Sequence, residues 1–172
     1  MSVPDADAAE EIAWAGRWIV AKTRGRWEYV SRVGGVRAAV VLAVDDGHVL
    51  LVDQYRVPLG RRCLELPAGL VDAGETVEAA GARELEEETG YRADNVTSLG
   101  EFVSSPGMVS ESFSLVRARG LTRVSAGGGI DGEGITVHRV PLTGIADYVA
   151  ARRADGMAID VKLLMLLGGG LI

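Results

Sequence analysis

The chain has little cysteine, no long hydrophobic run and no excess of positive charge. Its single cysteine, Cys63, permits neither an internal disulfide nor a zinc site built on cysteines, which fits a reducing compartment. The longest apolar stretches, Ala38–Val44 and Leu163–Ile172, are too short to cross a bilayer of about 30 Å as a helix. The acidic segment Met1–Glu11 lacks the basic and then apolar pattern of a secretion signal. We therefore expect a soluble, cytoplasmic protein without a membrane partner.

The charge balance argues against one class of partner. The 172 residues include 18 Lys and Arg against 24 Asp and Glu, so the formal net charge is −6. A protein that holds nucleic acid by bulk charge needs a basic surface, and we expect no nucleic-acid partner. A small phosphate-bearing substrate stays compatible with this composition, because a bound metal reverses the sign of the charge at a local site.

The order of elements predicts a mixed α/β layer fold rather than a repeat of βαβ units. The clearest helix is predicted over Val77–Thr89, because Thr76 is a suitable N-cap and Gly90 stands where a helix ends. A glycine-rich loop, Ser125–Gly134, separates the last two predicted strands. The other predictions are a loop at Gly69–Gly74, strands at Arg26–Arg32, Val36–Val44, His48–Tyr55, Leu64–Pro67, Val96–Ser104, Ser112–Arg119 and Gly134–Val140, and helices at Thr143–Arg153 and Met157–Leu167.

Three glutamates of the predicted helix point to a metal site. Glu84, Glu87 and Glu88 stand at positions i, i+3 and i+4, which places their carboxylates on one helix face. Like charges at these spacings destabilise an isolated helix by roughly 0.2–0.5 kcal/mol per pair. A divalent cation bound by oxygen ligands removes that cost, and magnesium suits one or two carboxylates together with substrate phosphates. An acidic triplet alone is more often a solvated helix face, so the flanking residues must decide.

The flanking residues match a family signature. Gly69 is followed after five residues by Glu75, and after seven more by the run Arg83–Tyr91, which reads RELEEETGY. At every fixed position this segment resembles the signature, or Nudix box, of the Nudix hydrolases, which cleave nucleoside diphosphates linked to another group. The resemblance implies a Nudix fold, a mixed β-sheet sandwiched between helices with an N-terminal β-arm. It also implies a division into residues 1–35, the arm and a dimer contact, and residues 36–172, the hydrolase domain.

The family resemblance implies roles for residues of the box. The positions that match Glu84, Glu87 and Glu88 bind divalent metal in that family, together with the backbone carbonyl at the position of Ala68. We therefore expect Mg²⁺ as the cofactor, with Mn²⁺ as a substitute. The remaining fixed positions are structural: Gly69, Glu75, Arg83 and Gly90. Among them, the glutamate and the arginine correspond to an ion pair that braces the loop against the helix.

Segments outside the box resemble the ADP-ribose (ADP-sugar) pyrophosphatase branch of the family. The resemblance extends from about Gly16 to Pro141, and its motifs are Gly16–Trp18, Arg26–Arg32, Gln54–Gly60, Cys63–Leu70 and Ser105–Gly107. It implies that water attacks the diphosphate of ADP-ribose and releases AMP and ribose 5-phosphate. Another nucleotide sugar, such as GDP-mannose, or a dinucleotide is the alternative substrate. A non-catalytic nucleotide-sensing module is the alternative of a different class.

The branch resemblance also implies substrate-binding residues. Trp18 and Trp27 match an aromatic pair that sandwiches adenine in homodimers, where one tryptophan comes from the partner subunit, whereas core packing is the alternative role. Glu28 is suited to accept a hydrogen bond from the adenine amino group. The forked guanidinium groups of Arg32 and Arg56 suit diphosphate oxygens, although a surface salt bridge is an equal alternative for Arg32. The other positions assigned to substrate binding are Glu65, Leu70 and Ser105.

The glycine-rich loop supplies candidates for the catalytic base. Its segment Asp131–Ile135, DGEGI, resembles an acidic loop of this branch that brings a glutamate over the metals. A carboxylate on a glycine-hinged loop is able to close on substrate, ligate a metal and accept a proton from the attacking water. Glu133 is the first candidate for both roles and Asp131 is its alternative. Glu87 of the helix is a third candidate for the base, and a solvated loop without function remains the competing interpretation.

Overall fold

The structure is a computed structural model that describes residues 3–130 and 132–168. In this part of the chain a small three-stranded sheet precedes a mixed eight-stranded sheet that has helices on both faces. The α-helices are α1 (Val77–Thr89), α2 (Ile145–Ala154) and α3 (Leu164–Leu167). The strands are β1 (Glu10–Ala15), β2 (Ile19–Arg24), β3 (Trp27–Arg32), β4 (Ala38–Asp45), β5 (His48–Arg56), β6 (Arg61–Glu65), β7 (Ala68–Leu70), β8 (Tyr91–Val103), β9 (Ser112–Arg123), β10 (Thr136–Pro141) and β11 (Ala158–Ile159).

Strand β4 shows how one sheet separates two hydrophobic layers. It pairs antiparallel with β5 and β7 and parallel with β9. Because side chains alternate along a strand, Val40 and Leu42 pack in the layer that contains α2 and α3. Val41 and Ala43 face the other way and pack with Leu85 of α1. The predicted mixed sheet sandwiched between helices is therefore confirmed.

Helix α1 begins and ends at the predicted residues. The Thr76 hydroxyl accepts a hydrogen bond from the Ala79 backbone N–H at 3.2 Å, which caps the first turn. Gly90 takes the left-handed conformation with φ +76°, and its N–H donates to the Glu86 carbonyl. A Cβ atom at Gly90 would collide with the Ser125 carbonyl, so this glycine both ends the helix and lets the glycine-rich loop lie against it.

The C-terminal segment differs from the prediction. The helix predicted over Met157–Leu167 is wrong in its first half, where β11 pairs parallel with β6 and only α3 is α-helical. Asp160 directs this path, because its backbone N–H donates to the Leu64 carbonyl at 3.0 Å. Its side chain also accepts from the Lys162 N–H at 2.7 Å and caps a short 3-10 turn. Tertiary pairing here overrides a helical sequence pattern.

Two other boundaries also move. The loop predicted over Gly69–Gly74 is extended backbone at its start, because β7 pairs antiparallel with β4. The strand predicted over Val96–Ser104 begins earlier, since β8 pairs with β9 along most of its length, from Tyr91 to Val103. Both changes follow from pairing with a strand distant in sequence.

Strands β1 to β3 form an antiparallel sheet that we call the arm. The arm contacts the rest of the chain through β3, where Val30 accepts from the Ser110 N–H and donates to the Met108 carbonyl, both at 3.0 Å. Every residue of β1 is exposed, and Ile12 keeps 65% of its surface in solvent. The arm thus lies outside both hydrophobic layers of the main sheet.

Across the described residues, no helix combines the length and the apolar composition needed to span a membrane.

Candidate functional site

Two glutamates of α1 lie against the backbone of β7. Glu88 is only 7% exposed, and its Oε2 accepts a hydrogen bond from the Ala68 backbone N–H at 3.0 Å. The Glu84 carboxylate lies directly beside Gly69, where a Cβ atom would overlap it. Only glycine leaves room at position 69, because any side chain there would displace the Glu84 carboxylate.

Burial and mutual repulsion raise the pKa values of these carboxyl groups. Burial is the main cause that brings the pKa of Glu88 to about 8, and the charges of Glu84 and Glu133 add to it. The pKa of Glu84 is raised for the same main reason, with contributions from Glu87 and Glu133, while a hydrogen bond from Arg83 opposes the shift. The site thus concentrates negative charge that lacks a full counter-charge, which is the condition that a divalent cation relieves.

The donor set fits a hard divalent cation, because carboxylate oxygens are the ligands that magnesium prefers. Arg83 balances part of this charge, since its Nη1 lies 2.6 Å from Glu84 Oε1 and 3.3 Å from Glu87 Oε2. With the glutamates in these positions, no three Asp, Glu, His or Cys side chains of residues 3–130 and 132–168 converge into a complete metal cluster. The oxygen ligands fit a divalent metal. In the structure, Glu84 and Glu87 are paired with Arg83 instead.

Arg83 also holds the loop that leads into α1. Its Nε and Nη2 donate to the two Glu75 carboxylate oxygens at 3.2 and 3.1 Å, and its Nη2 reaches the Leu70 carbonyl at 3.0 Å. The hydrogen bond from Arg83 is the main reason that the pKa of Glu75 is lowered. Glu75 in turn accepts from the Asp72 N–H at 3.2 Å. This ion pair ties β7 to the helix that carries the glutamates.

The glycine-rich loop docks on the C-terminal end of α1. The Gly128 N–H donates to the Glu88 carbonyl at 2.8 Å, and the Gly129 N–H donates to the Glu87 carbonyl at 3.1 Å. These are carbonyls of the last helical turn, which have no partner within the helix itself. The loop therefore continues the hydrogen bonding of α1 and lies beside the metal-ligand candidates.

Glu133 reaches the carboxylate group from this loop. Its Oε2 accepts from the Ile130 N–H at 3.0 Å, and a Cβ atom at Gly129 would collide with its carboxylate. Its charge raises the pKa of both Glu84 and Glu88, so the three carboxylates lie within electrostatic range of one another. Asp131, the alternative base, lies outside the described residues.

Arg62, which no sequence motif singled out, holds the far end of the same loop. Its Nη2 donates to the Gly134 carbonyl at 2.9 Å and to Thr136 Oγ1 at 3.0 Å. Its Nε forms an ion pair with Asp53, which is 3% exposed and also lies 2.6 Å from His138 Nε2. A buried aspartate in the apolar strand β5 was the signal available in the sequence, because such a group requires a partner.

A cavity of about 380 Å³ opens beside β7 and collects several predicted residues. Arg56 lines it and donates to both Glu65 carboxylate oxygens, at 2.6 and 2.7 Å. Arg32 lines it from the arm and forms an ion pair with Glu111. The cavity also receives Lys162, which sequence reasoning missed. The remaining predicted residues on its wall are Ala68, Gly69 and Leu70.

Four predicted substrate residues lie elsewhere. Trp18 and Trp27 are 65% and 53% exposed on the arm, so core packing within one chain is wrong for both. Trp27 borders a second cavity of about 460 Å³ together with Tyr29. Glu28 is exposed and, as the next residue along β3, points to the opposite face from Trp27. The Ser105 carbonyl accepts two backbone N–H groups in the turn that meets the arm.

Comparison with known proteins identifies the family. The NUDIX domain matches residues 34–118, a range that contains the whole glutamate-bearing segment. An uncharacterized Nudix hydrolase of Schizosaccharomyces pombe is 34% identical over 161 residues, covering 86% of this chain and 78% of that protein. The chain belongs to the Nudix hydrolase family. The resemblance read from its sequence is thereby confirmed, and Nudix hydrolases generally use a divalent metal.

This Nudix chain is also similar to proteins with more specific names. The ADP-ribose pyrophosphatase of Bacillus subtilis is 44% identical over 84 residues, or 49% of this chain and 44% of that protein. A crystal structure of an ADP compounds hydrolase has a TM-score of 0.72 and 25% identity, and the match covers 92% of this chain and 89% of that one. The chain spans about half the length of several curated relatives that it matches.

Proposed function

We propose that this Nudix protein is an enzyme that hydrolyses the diphosphate of ADP-ribose or a related ADP-sugar and releases AMP and a sugar phosphate. The observation that carries the proposal is the group of mutually repelling carboxylates, Glu84, Glu88 and Glu133, beside a cavity lined by Arg32 and Arg56. Diphosphate hydrolysis uses acid groups that hold a cation and arginines that hold phosphate. Relatives named for ADP-ribose and ADP-compound hydrolysis support the substrate class.

We propose Mg²⁺ as the cofactor, with Mn²⁺ as a substitute. The residues that would hold it are the carboxylates of Glu84, Glu87, Glu88 and Glu133 together with the Ala68 backbone carbonyl. A divalent ion neutralises phosphate charge and makes the phosphorus more electrophilic when it is bound. Burial of Glu88 favours this use, because a desolvated carboxylate gains more from a cation than a solvated one does.

The proposed base is Glu133, whose carboxylate would accept the proton of the attacking water. Its loop is hydrogen bonded to α1 at one end and to Arg62 at the other, so the carboxylate is carried by a positioned segment. The Ile130 N–H that it now accepts is a neutral partner, which leaves its second oxygen for water. Glu87 is the alternative base within the helix, and Asp131 is the alternative in the loop.

Substrate binding is assigned to the cavity and to the arm. Arg56 would donate to the diphosphate while Glu65 keeps its guanidinium in place, and Arg32 would act from the arm. The exposed rings of Trp18 and Trp27 favour adenine stacking completed by a second subunit, with Glu28 accepting from the adenine amino group. We accordingly propose a homodimer in which residues 1–35 form the contact and residues 36–172 form the hydrolase domain. Leu70 and Ser105 complete the proposed set.

The reducing compartment indicated by one cysteine supports a cytoplasmic location for this activity. Nothing in the proposed chemistry requires a nucleic acid or a membrane.

Product analysis tests the proposal. Purified protein with Mg²⁺ is offered ADP-ribose, other ADP-sugars, GDP-mannose and a dinucleotide in oxygen-18 water, and the products are identified by mass spectrometry. We expect AMP and ribose 5-phosphate from ADP-ribose, with the label on one of them showing which phosphorus is attacked. Cleavage of GDP-mannose without cleavage of ADP-ribose would overturn the substrate, whereas binding of ADP-ribose without release of AMP would make the protein a sensing module.

A further inference from the structure

The topology of the sheet brings Lys162 to the cavity. Strand β11 runs parallel to β6, with Ala158 opposite Cys63 and Ile159 opposite Leu64. Parallel strands end at the same edge of a sheet, so the chain after β11 emerges where Glu65 follows Leu64. Glu65 and Lys162 both line the cavity as a result.

The Lys162 side chain is held in place rather than extended into solvent. It is 18% exposed, and its Nζ lies 2.6 Å from Asp160 Oδ2. Its Nζ also stands 5.4 Å from the centre of the Phe113 ring, which is another wall of the same cavity. A lysine side chain between a carboxylate and an aromatic face has a fixed direction, because both contacts attract its positive end.

Lys162 and Arg32 reach the cavity from different parts of the chain. Arg32 also lines a neighbouring cavity of about 380 Å³, whose wall includes Ile12 and Val20 of the arm. Asp160 and Val161, which directly precede the lysine in the chain, line a groove on the side of α2 and α3. The cavity therefore has an arginine at its arm side and a lysine at its C-terminal side.

A purely structural role does not account for this side chain. The 3-10 turn is held by the Asp160 carboxylate, which accepts from the backbone N–H of residue 162, and by the Asp160 N–H, which donates to the Leu64 carbonyl. Neither bond needs the lysine ammonium. An uncharged side chain of similar length would therefore leave both of these bonds in place.

We propose that Lys162, with Phe113, determines specificity for the group that lies beyond the diphosphate. Three ammonium hydrogens suit the hydroxyl oxygens of a sugar, and Asp160 uses only part of that capacity. Phe113, whose ring is stacked with Phe102 at 5.9 Å between centroids, contributes by fixing the direction of this ammonium group on the cavity wall. This inference rests on the proposed function, because adenine bound at the arm and a diphosphate bound at Arg56 would place the sugar next to Lys162.

The experiment compares two substrates that differ only beyond the diphosphate. Wild-type protein and Lys162→Met are assayed with ADP-ribose and with the methyl ester of ADP, which carries no sugar there. We expect the variant to raise KM for ADP-ribose by about tenfold, to leave kcat within about twofold, and to leave the methyl ester unaffected. We expect Lys162→Arg to recover part of the affinity, since it restores a hydrogen-bonding cation. Equal changes for both substrates, or no change for ADP-ribose, would overturn the assignment.

Arg139→Met is the matched control. It also removes one positive charge, but from a surface pair with Asp46 at 3.5 Å that is remote from the cavity. It should leave both substrates unaffected, and circular dichroism should show both methionine variants folded. If wild-type protein cleaves no ADP compound, the proposed function fails and calorimetric binding of ADP-ribose decides the inference. Weaker binding by Lys162→Met then supports it, whereas equal binding, or none by the wild type, overturns it.

Discussion

Glu88 combines the deepest burial and the largest rise in pKa among the glutamates of α1 whose pKa values shift. Its carboxylate accepts from a backbone N–H of β7, so its position is set by two elements rather than by a flexible side chain alone. A ligand held in this way binds an ion without a large loss of conformational entropy. The spacing along the helix predicts that Glu84, Glu87 and Glu88 are equivalent ligands. In the structure Glu88 is the most buried of the three.

Glu88→Gln is expected to lower kcat/KM by a factor of about 100 or more, because an amide lacks the charge that holds a divalent ion. Steady-state kinetics across a Mg²⁺ titration measures the effect, which more metal should only partly reverse. Glu86→Gln is the matched control, since Glu86 lies in the same helix but pairs with Arg92 on the exposed side. Near wild-type activity in the Glu88 variant would contradict the metal assignment.

The raised pKa of Glu88 predicts a pH dependence of stability in metal-free protein. In the folded chain its pKa moves from 4.5 to about 8. Burial is the main cause and the charges of Glu84 and Glu133 add to it, while the hydrogen bond from the Ala68 N–H and the charge of Arg56 oppose the shift. Between these values the folded state holds a proton that the unfolded state has released. The free energy of unfolding therefore falls as pH rises through this window.

Thermal melts in a chelator should show Tm falling by several degrees between about pH 5 and about pH 8. Glu88→Gln should flatten this profile, because the amide has no proton to lose. Added Mg²⁺ should raise Tm more at the upper end of the window. There it neutralises an ionised carboxylate, whereas at the lower end it must displace a proton. Identical pH profiles for the wild type and the variant would show that Glu88 keeps an ordinary pKa.

At the scale of elements, the glycine-rich loop matters because it is fastened at both ends. One end hydrogen bonds to the last carbonyls of α1, and the other is held by Arg62, whose own position depends on buried Asp53. The glycines between these points allow left-handed backbone angles that other residues rarely adopt. A loop of this kind keeps its carboxylate near α1.

Arg62→Met is expected to lower kcat about tenfold with little change in KM, because the variant releases the loop end while the substrate cavity stays intact. Hydrogen exchange over residues 125–134 should become faster in the same variant. Glu133→Gln, which removes the proposed base itself, should lose more, about 100-fold or greater in kcat. Arg61→Met is the control, since its side chain hydrogen bonds to the Gly156 carbonyl at 3.5 Å rather than to the loop. An unchanged rate of hydrogen exchange in the Arg62 variant would show that Arg62 does not restrain the loop.

At the scale of the whole molecule, the arm is the part that one chain leaves incomplete. It exposes Ile12, Trp18 and Trp27, each more than half in solvent, and β3 hydrogen bonds to the turn at Met108 and Ser110. Several large apolar groups exposed on one small segment are typical of a surface that another chain covers. This surface supports the proposed homodimer and places a tryptophan at the border of a second cavity.

Trp27→Ala is expected to raise KM for ADP-ribose by about tenfold or more with kcat little changed, because stacking on a base contributes about 1–3 kcal/mol. Initial-rate kinetics and sedimentation velocity on the same samples separate lost stacking from lost dimerisation. Trp14→Ala is the matched control, since its ring packs over Gly16 of its own arm. An unchanged KM in the Trp27 variant would contradict adenine stacking.

Local sequence by itself determined α1 and the identity of its charged face. Thr76 and Gly90 act on neighbouring backbone groups, and the spacing of the glutamates needs only the helical period, so no distant contact is required. The apolar run Val36–Val44 predicted a buried strand in the same way, and most of it forms β4. These features depend on interactions within a few residues, which a sequence displays directly.

Only the tertiary structure decided which distant residues share the site. Arg62 meets Gly134 across 72 positions, and Lys162 reaches the cavity because β11 pairs with β6 in place of the predicted helix. Hydrogen bonds between strands and the need to pair a buried charge set these contacts, and neither leaves a periodic mark in the chain. The metal-ligand candidates thus follow from a local sequence pattern. The contact of Arg62 with the loop and the position of Lys162 at the cavity follow from the tertiary structure.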